Sequence, residues 1–401
     1  MPHLRLALCL PAILLAAFAL PVCAQSPFPG SFVTNIGGAL PTTYETSGAV
    51  WHPRLQQYFI VSDSGIVTKM QASGTITQNW NYAGDLEGIT VADADTDFIY
   101  LGNENPDSII EFNIVTGAAT RVFNLTVQMT GPVNEGLEAL TFVPDPLHPE
   151  GGLFYAGHQG EGSVYVFSLP IKTSATSTTV TYITKYTPWP GHTDLAGLSY
   201  DPSTGSIFGV YDTDNVIIKF SKTGVLESSW VLPGIDQEGV AIRGCELLIT
   251  HDTSKQVYKY RSFPDTAACE SIWVDTNVLS ISSPGTANFS LQSPPTFSGD
   301  YYFILGSASG TVPGFDIGAV HLPLNYDWYF DTIGGIPNGT IFIDTFGTLS
   351  ATSGGAAQLV LPAGVPPTLV GSELYHSYLI LENPTFNIIG ASGTALVTLI
   401  L

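Results

Sequence analysis

The chain has 401 residues, of which 34 are acidic and only 12 basic, for a formal net charge of −22. So few cations disfavour a nucleic-acid partner, whose phosphates call for clustered Lys and Arg, and favour cationic ligands or metal ions. Charged residues make up 11% of the chain, while Gly (41) and Pro (28) are frequent, the balance of a turn-rich all-β protein.

The first 24 residues read as a secretory leader. Arg5 precedes an apolar run from Leu6 to Leu20, and Val22-Cys23-Ala24 offers a small-residue cleavage site before Gln25. The run is short for a membrane span, which needs about 20 apolar residues, and no later segment is long and apolar enough to span. A secreted, extracellular or periplasmic monomer is expected, with no transmembrane segment. Cleavage leaves Cys245 and Cys269 of the four cysteines, a pair that reads as one disulfide in an exported chain.

From residue 47 a short phrase recurs five times: Ser47-Gly48-Ala49-Val50, Leu86-Glu87-Gly88-Ile89, Leu137-Glu138-Ala139-Leu140, Leu195-Ala196-Gly197-Leu198 and Gln237-Glu238-Gly239-Val240. Each is followed by an apolar strand that ends in a polar turn, as in Phe59 to Asp63, Ile99 to Glu104, Phe154 to His158, Phe208 to Asp212 and Leu248 to Asp252. Intervals of roughly 40 to 60 residues built from short strands mark a β-propeller. The fourth repeat spells a whole blade. Leu198 to Tyr200 is extended, Asp201-Pro202 turns, Ser206 to Tyr211 and Val216 to Phe220 are strands, and Lys222-Thr223-Gly224 turns into a fourth strand from Val225 to Leu232. Five blades are visible. A sixth would have to lie in the wide interval after the third phrase, whose Ser/Thr-rich stretch from Thr173 to Thr181 reads better as a loop. Residues 31–45 are expected to add a strand to the last blade and close the ring.

After Cys269 the phrases stop. Alternating strands follow, near Thr286 to Leu291, Asp300 to Gly306, Thr340 to Asp344, Ala356 to Leu361, Glu373 to Leu381 and Thr394 to Leu401. The expected organisation is a leader over 1–24, a propeller over 25–268 and a C-terminal β-sandwich over 269–401, all-β throughout.

In an antiparallel hairpin the start of one strand lies beside the end of the next. Both phrases therefore fall on one face of the ring, around the mouth of the central channel. That face collects Asp63, Asp85, Glu87, Asn103, Glu104, Glu135, Glu138, His158, Asp194, Asp212, Asp236, Glu238, His251 and Asp252. Converging carboxylates repel unless a cation sits among them or their pKa values rise. Ca²⁺, which takes six to eight oxygens, is the simplest partner, with Glu87, Glu138, Glu238, Asn103 and Asp212 as ligand candidates. Zn²⁺ fits less well, because only His158 and His251 offer nitrogen on this face. The competing reading is that acids ahead of strands cap turns. Aligned glutamates speak against it, since turn capping does not require Glu. Ser47 and Ala196 break the alignment.

The Leu-Glu-Gly-Ile and Asp-Gln-Glu-Gly-Val phrases, each followed by a strand with a polar end, resemble the SdiA-regulated propeller family over roughly residues 40–262. More distantly they resemble phytase-like esterase domains and lactonase-type propellers. The resemblance implies a channel ion, Ca²⁺, held by the same five residues. In the lactonase-type relatives it implies an ion that activates an ester or lactone carbonyl, with His158 or His251 as the candidate catalytic base. The tail stretch Tyr301 to Gly310 and Leu322-Pro323-Leu324-Asn325 resembles a sandwich domain of secreted planctomycete-like proteins. The leading expectation is a cation-binding propeller that recognises a small-molecule or cell-surface ligand at its mouth. The alternatives are a calcium-dependent hydrolase of phosphoesters, esters or lactones, and a structural or adhesive surface protein.

Overall fold

The computed structural model describes residues 25–401 apart from 203, 253–254, 262, 265–270, 277, 312 and 352, and apart from the side chain of 295. The leader and Cys269, and with it the expected disulfide, lie outside the described residues.

The repeats fold as the phrase pattern requires. Strands Thr46–His52, Gln57–Ser62, Ile66–Gln71 and Ile76–Asn81 form one antiparallel sheet. Leu86–Thr90, Phe98–Asn103, Ser108–Asn113 and Ala118–Asn124 form the next. A third runs from Leu137–Pro144 through Gly152–His158 and Ser163–Ser168 to Thr181–Tyr186. In the fourth, Leu195–Asp201, Ser206–Tyr211, Val216–Phe220 and Leu226–Val231 are joined at the outer edge by a parallel pair from Ser26–Pro27. Gln237–Arg243, Glu246–His251 and Gln256–Arg261 make three strands of the fifth sheet. Its outer strand is Ser31–Asn35, brought from the start of the chain. Joining one blade from both ends of the repeat region clasps the ring.

Packing shows the closure independently. Five hydrophobic clusters sit between blades, each fed by two neighbours. Tyr100 and Phe123 meet Phe142 and Phe154; Val164 and Val166 meet Ile207 and Ile218; Phe208 and Val210 meet Leu247 and Ile249; Leu248 and Val257 meet Tyr58 and Met70; Phe59 and Val61 meet Ile99 and Phe112. Trp51, Trp80, Trp189 and Trp230 each pack against one of these seams. The chain is an all-β propeller. Among the described residues the Thr173–Val180 stretch forms no strand. Its loop instead wraps Arg121, whose Nη1 donates to the carbonyls of Pro170, Ser174 and Ser177.

The tail builds two larger sheets, one of Ser271–Val274, Gly285–Gln292, Gly354–Leu361 and Phe342–Ile343, the other of Val278–Ser280, Ala395–Ile400, Glu373–Leu381, Tyr301–Ser307 and Phe346–Thr348 with Ile388–Ala391 at its side, and a separate two-stranded hairpin of Phe315–Ile317 and Val320–Leu322. One apolar core takes Phe289, Leu291 and Leu359 from the first and Ile304, Tyr378 and Val397 from the second. A short helix, Trp328–Gly335, adds Tyr329 and Ile333 to that core; Asp327 caps it by accepting from the amides of Tyr329 and Phe330. No helix among the described residues is long and apolar enough to cross a membrane.

Candidate functional site: the acidic end of the channel

Every inner strand carries the same irregularity at the same place. The pairing register slips between Thr46 and Ala49, Leu86 and Ile89, Leu137 and Ala139, Leu195 and Gly197, and Gln237 and Val240. These are β-bulges, which re-aim a side chain out of the normal alternation. The re-aimed positions are Ser47, Glu87, Glu138, Ala196 and Glu238. The residue after each must be small because the bulges crowd one another around the axis. A Cβ on Gly48 would lie 2.3 Å from the carbonyl oxygen of Glu87, and one on Gly239 would lie 2.4 Å from that of Ser47. The recurrent Glu-Gly is thus one device: a bulge that turns the glutamate toward the axis and a glycine that lets the next bulge approach.

Glu87 and Glu138 line the narrow top of the channel with these small residues. Burial, followed by the charge of Asp85, pushes the Glu87 carboxyl up to about 8. Burial, then Glu87 and Glu238, drives Glu138 well above the ordinary range. Burial, then Asp212 and Glu87, does the same to Glu238. The charges that weigh most on the three are one another and nearby carboxylates, with no cation among them. Their hydrogen bonding is sparse. Ser47 supports the charged form of Glu87, and Gln159 Nε2 donates to Glu138 Oε1 at 3.2 Å. Ser47, which the sequence shows only as a break in the glutamate column, is therefore a partner of that column. Gln159 has no signal beyond its place next to His158.

The other expected ligands are engaged in turns. Asn103 Oδ1 accepts from the amide of Asp85 at 3.1 Å, and its Nδ2 donates to the carbonyl of Pro106 at 2.9 Å. Asp212 Oδ1 accepts from the amide of Gln237 at 2.6 Å, while burial still raises its carboxyl to about 6. Glu104 and Asp107 likewise accept from the amides of Gly136 and Leu137. In each case a carboxylate or amide at the end of a second strand fastens the entry to an inner strand. Asp194 and Asp236 sit at those entries with φ of 67° and 57°, a left-handed conformation that Asp tolerates. Turn capping thus accounts for Asp63, Glu104, Asp107, Asp194 and Asp212 and leaves the three glutamates unexplained. No group of three or more His, Cys, Asp and Glu among the described residues stands at metal-ligand spacing.

His158 and His251 end their strands as expected, but each is only 1% exposed. His158 Nε2 lies 3.3 Å from the carbonyl of Thr130, and the ring stacks on Tyr165. His251 Nδ1 lies 2.9 Å from the carbonyl of Ile235, its Nε2 has no hydrogen-bond partner, and burial lowers its pKa. Both imidazoles are wedged within the blades.

The model of the SdiA-regulated family matches residues 175–287, from the third blade's loop through the fourth and fifth blades into the first strands of the tail. No curated protein matches the chain. Among solved structures the chain is similar to glutaminyl cyclase of Myxococcus xanthus (10% identity over 59% of this chain and 98% of that one, TM-score 0.41). It is also similar to a chain of a nidogen/laminin complex (15%, 52% and 73%, TM-score 0.36). A third is the Cps50 (Swd1) β-propeller domain of Myceliophteria thermophila (8%, 54% and 83%, TM-score 0.36).

Proposed function

We propose that this protein is a secreted binding module whose channel mouth takes up a divalent cation, Ca²⁺, and presents it to a small-molecule or cell-surface ligand. The observation that supports this is the trio of bulge-borne glutamates at the axis, Glu87 and Glu138 buried and Glu238 half-buried, driven up in pKa by desolvation and by nearby carboxylates. Such a group either holds protons or accepts a cation. Hard carboxylate oxygens suit Ca²⁺, and Glu87, Glu138 and Glu238 would be its ligands. They do not stand at ligand spacing without the ion, so binding would draw their side chains inward. When bound, the ion supplies a positive centre that attracts an anionic or oxygen-rich ligand. The rest of the mouth keeps the site shaped: Asn103, Asp212 and Glu104 tie the loops that position the bulges. The cationic requirement would be met from outside, since the charges that weigh most on the trio among the described residues are carboxylates.

The reading carries two corollaries. The leader would export the chain, and Cys245 would pair with Cys269; two free thiols in the denatured, unreduced, secreted protein would refute the pairing. Calorimetric titration of the chelator-treated protein with Ca²⁺ tests the main reading. Heat of binding that disappears in Glu87→Gln/Glu238→Gln is expected. Absence of binding in the wild type at millimolar Ca²⁺ would reduce the trio to a set of protonated acids.

A further inference from the structure

The opposite end of the channel has the reverse chemistry. There the turns after the inner strands surround a cleft walled by apolar side chains, among them Val50, Ile89, Phe142, Leu198 and Ile242, and bordered by Arg243. The Arg243 guanidinium lies over the Trp51 ring, 4.1 Å from its centroid. The cleft's other charged residue, Asp201, is 2% exposed and accepts a hydrogen bond from the Thr204 hydroxyl.

Arg243 shares its counter-ion with a second cation. Its Nη2 is 3.0 Å from Glu246 Oε1, but Glu246 also faces Lys259 Nζ at 3.1 Å and accepts from the Tyr58 hydroxyl. Arg261 acts on the same carboxylate and stacks over Trp273, 4.7 Å from the ring centroid. Two cations thus pair with one buried carboxylate and a third lies within its electrostatic reach, in a chain with 12 basic residues against 34 acidic ones. Nε of both arginines is buried without a hydrogen-bond partner, a condition that costs stability unless something completes it. An aromatic-backed guanidinium beside apolar walls matches a ligand with one negative charge and a flat hydrocarbon body. A phosphate dianion would need a second cation on the cleft wall, and among the described residues Arg243 alone supplies one.

We infer that this basal cleft is a second binding site, for a small organic carboxylate whose carboxyl group pairs with Arg243 and whose aromatic or alkyl body lies against the apolar walls. It stands apart from the acidic mouth and does not depend on the calcium reading. The test is calorimetric titration of the full chain with 1-naphthoate and with its uncharged counterpart, 1-naphthamide. The carboxylate should bind at least tenfold more tightly than the amide, and Arg243→Gln should reduce it to the affinity of the amide. Since Arg243→Gln also removes a partner of Glu246, a second variant keeps every charge: Ala92→Trp, which fills the cleft from its wall, should abolish binding of both probes. Its melting curve and circular dichroism should stay those of the wild type. Equal affinity for the two probes, no binding of either by the wild type, or naphthoate binding that survives Ala92→Trp would each overturn the site.

Discussion

Two sets of buried carboxylates in this propeller are treated in opposite ways. Between blades, Glu246 is fully buried, and burial alone would raise its pKa. Arg243, Lys259 and the Tyr58 hydroxyl instead hold it below the ordinary carboxylate range. Glu111 is handled alike. Burial pushes its carboxyl up, but Arg121, Thr120 and Tyr100 more than offset that. At the axis, Glu87, Glu138 and Glu238 are desolvated too, and the charges that weigh most on them among the described residues are carboxylates. The fold commits three of its 12 cations to two carboxylates that only join strands. It leaves bare the three that the bulges turn toward the channel. Charge compensation is therefore available to this chain, and the carboxylates at the mouth are the ones on which the proposed uptake of a cation rests.

The largest effect is expected where compensation is complete. Glu246→Ala would strand Arg243 and Lys259 in the seam between the fifth and first blades. Removing one partner of a buried pair costs about 3–5 kcal/mol. Urea denaturation should show a loss of that order, and a loss under about 1 kcal/mol would mean the pair is no more buried than a surface bridge. Next comes the ring itself. Ca²⁺ at a hundred times its dissociation constant should stabilise the fold by about 2.7 kcal/mol, because it binds only the closed ring. Glu87→Gln/Glu238→Gln should erase that shift in thermal melts while leaving the fold intact. If the wild type melts identically in calcium and chelator, the comparison collapses and the trio is a structural feature only.

Much of this architecture was legible in the chain. The five phrases gave the blades because each is an inner strand entry, and spacing and turn chemistry agreed. The longer tail strands were read from alternation, while Ser271–Val274, Val278–Ser280, Phe315–Ile317, Val320–Leu322, Phe346–Thr348 and Ile388–Ala391 went unseen because none is long enough to alternate. The helix Trp328–Gly335 escaped for a similar reason: it is two turns long and ends in two glycines. At the site, the Glu-Gly column marks the three residues that the register slips set at the channel axis. Asn103 and Asp212 looked equivalent to them, because a sequence cannot distinguish an acceptor spent on a backbone amide from one facing a channel. The bulge makes that distinction, and a bulge shows only once the partner strand's register is known.

The pH dependence of the metal-free protein sharpens the contrast further. The ring carboxyls have folded pKa values above their unfolded ones, so the fold retains protons that the unfolded chain has released. Their contribution is complete below the ordinary value of 4.5 and is lost as pH rises, for Glu87 through about 8. Melting temperature in chelator should therefore fall between pH 5 and pH 8.5, and calcium should recover most of it at the alkaline end. Glu246 and Glu111 have depressed pKa values and act in the other direction. Their contribution is present above the ordinary carboxyl range and is lost only in stronger acid. Glu138→Gln should flatten the alkaline fall without touching the acid limb. A melting temperature that is flat from pH 5 to pH 8.5 in chelator would show that the ring is not electrostatically loaded.

The smallest expected effect concerns the histidines, and it separates binding from catalysis. His251 hydrogen-bonds to the carbonyl of Ile235 and packs against Tyr258. One buried hydrogen bond is worth about 1 kcal/mol net, so His251→Gln should lower stability by that order. A side chain that only packs has no influence on the ring, so the calcium titration midpoint of the variant should equal that of the wild type. A general base would behave differently. Its removal would leave stability nearly unchanged and would lower hydrolysis of an aryl ester, lactone or aryl phosphate by roughly 10²-fold or more. A screen of those three substrates with calcium present should therefore show no turnover above the uncatalysed rate. Turnover that chelation abolishes, and that His158→Ala or His251→Gln reduces, would instead make the acidic mouth an active site and its glutamates the holders of a catalytic ion.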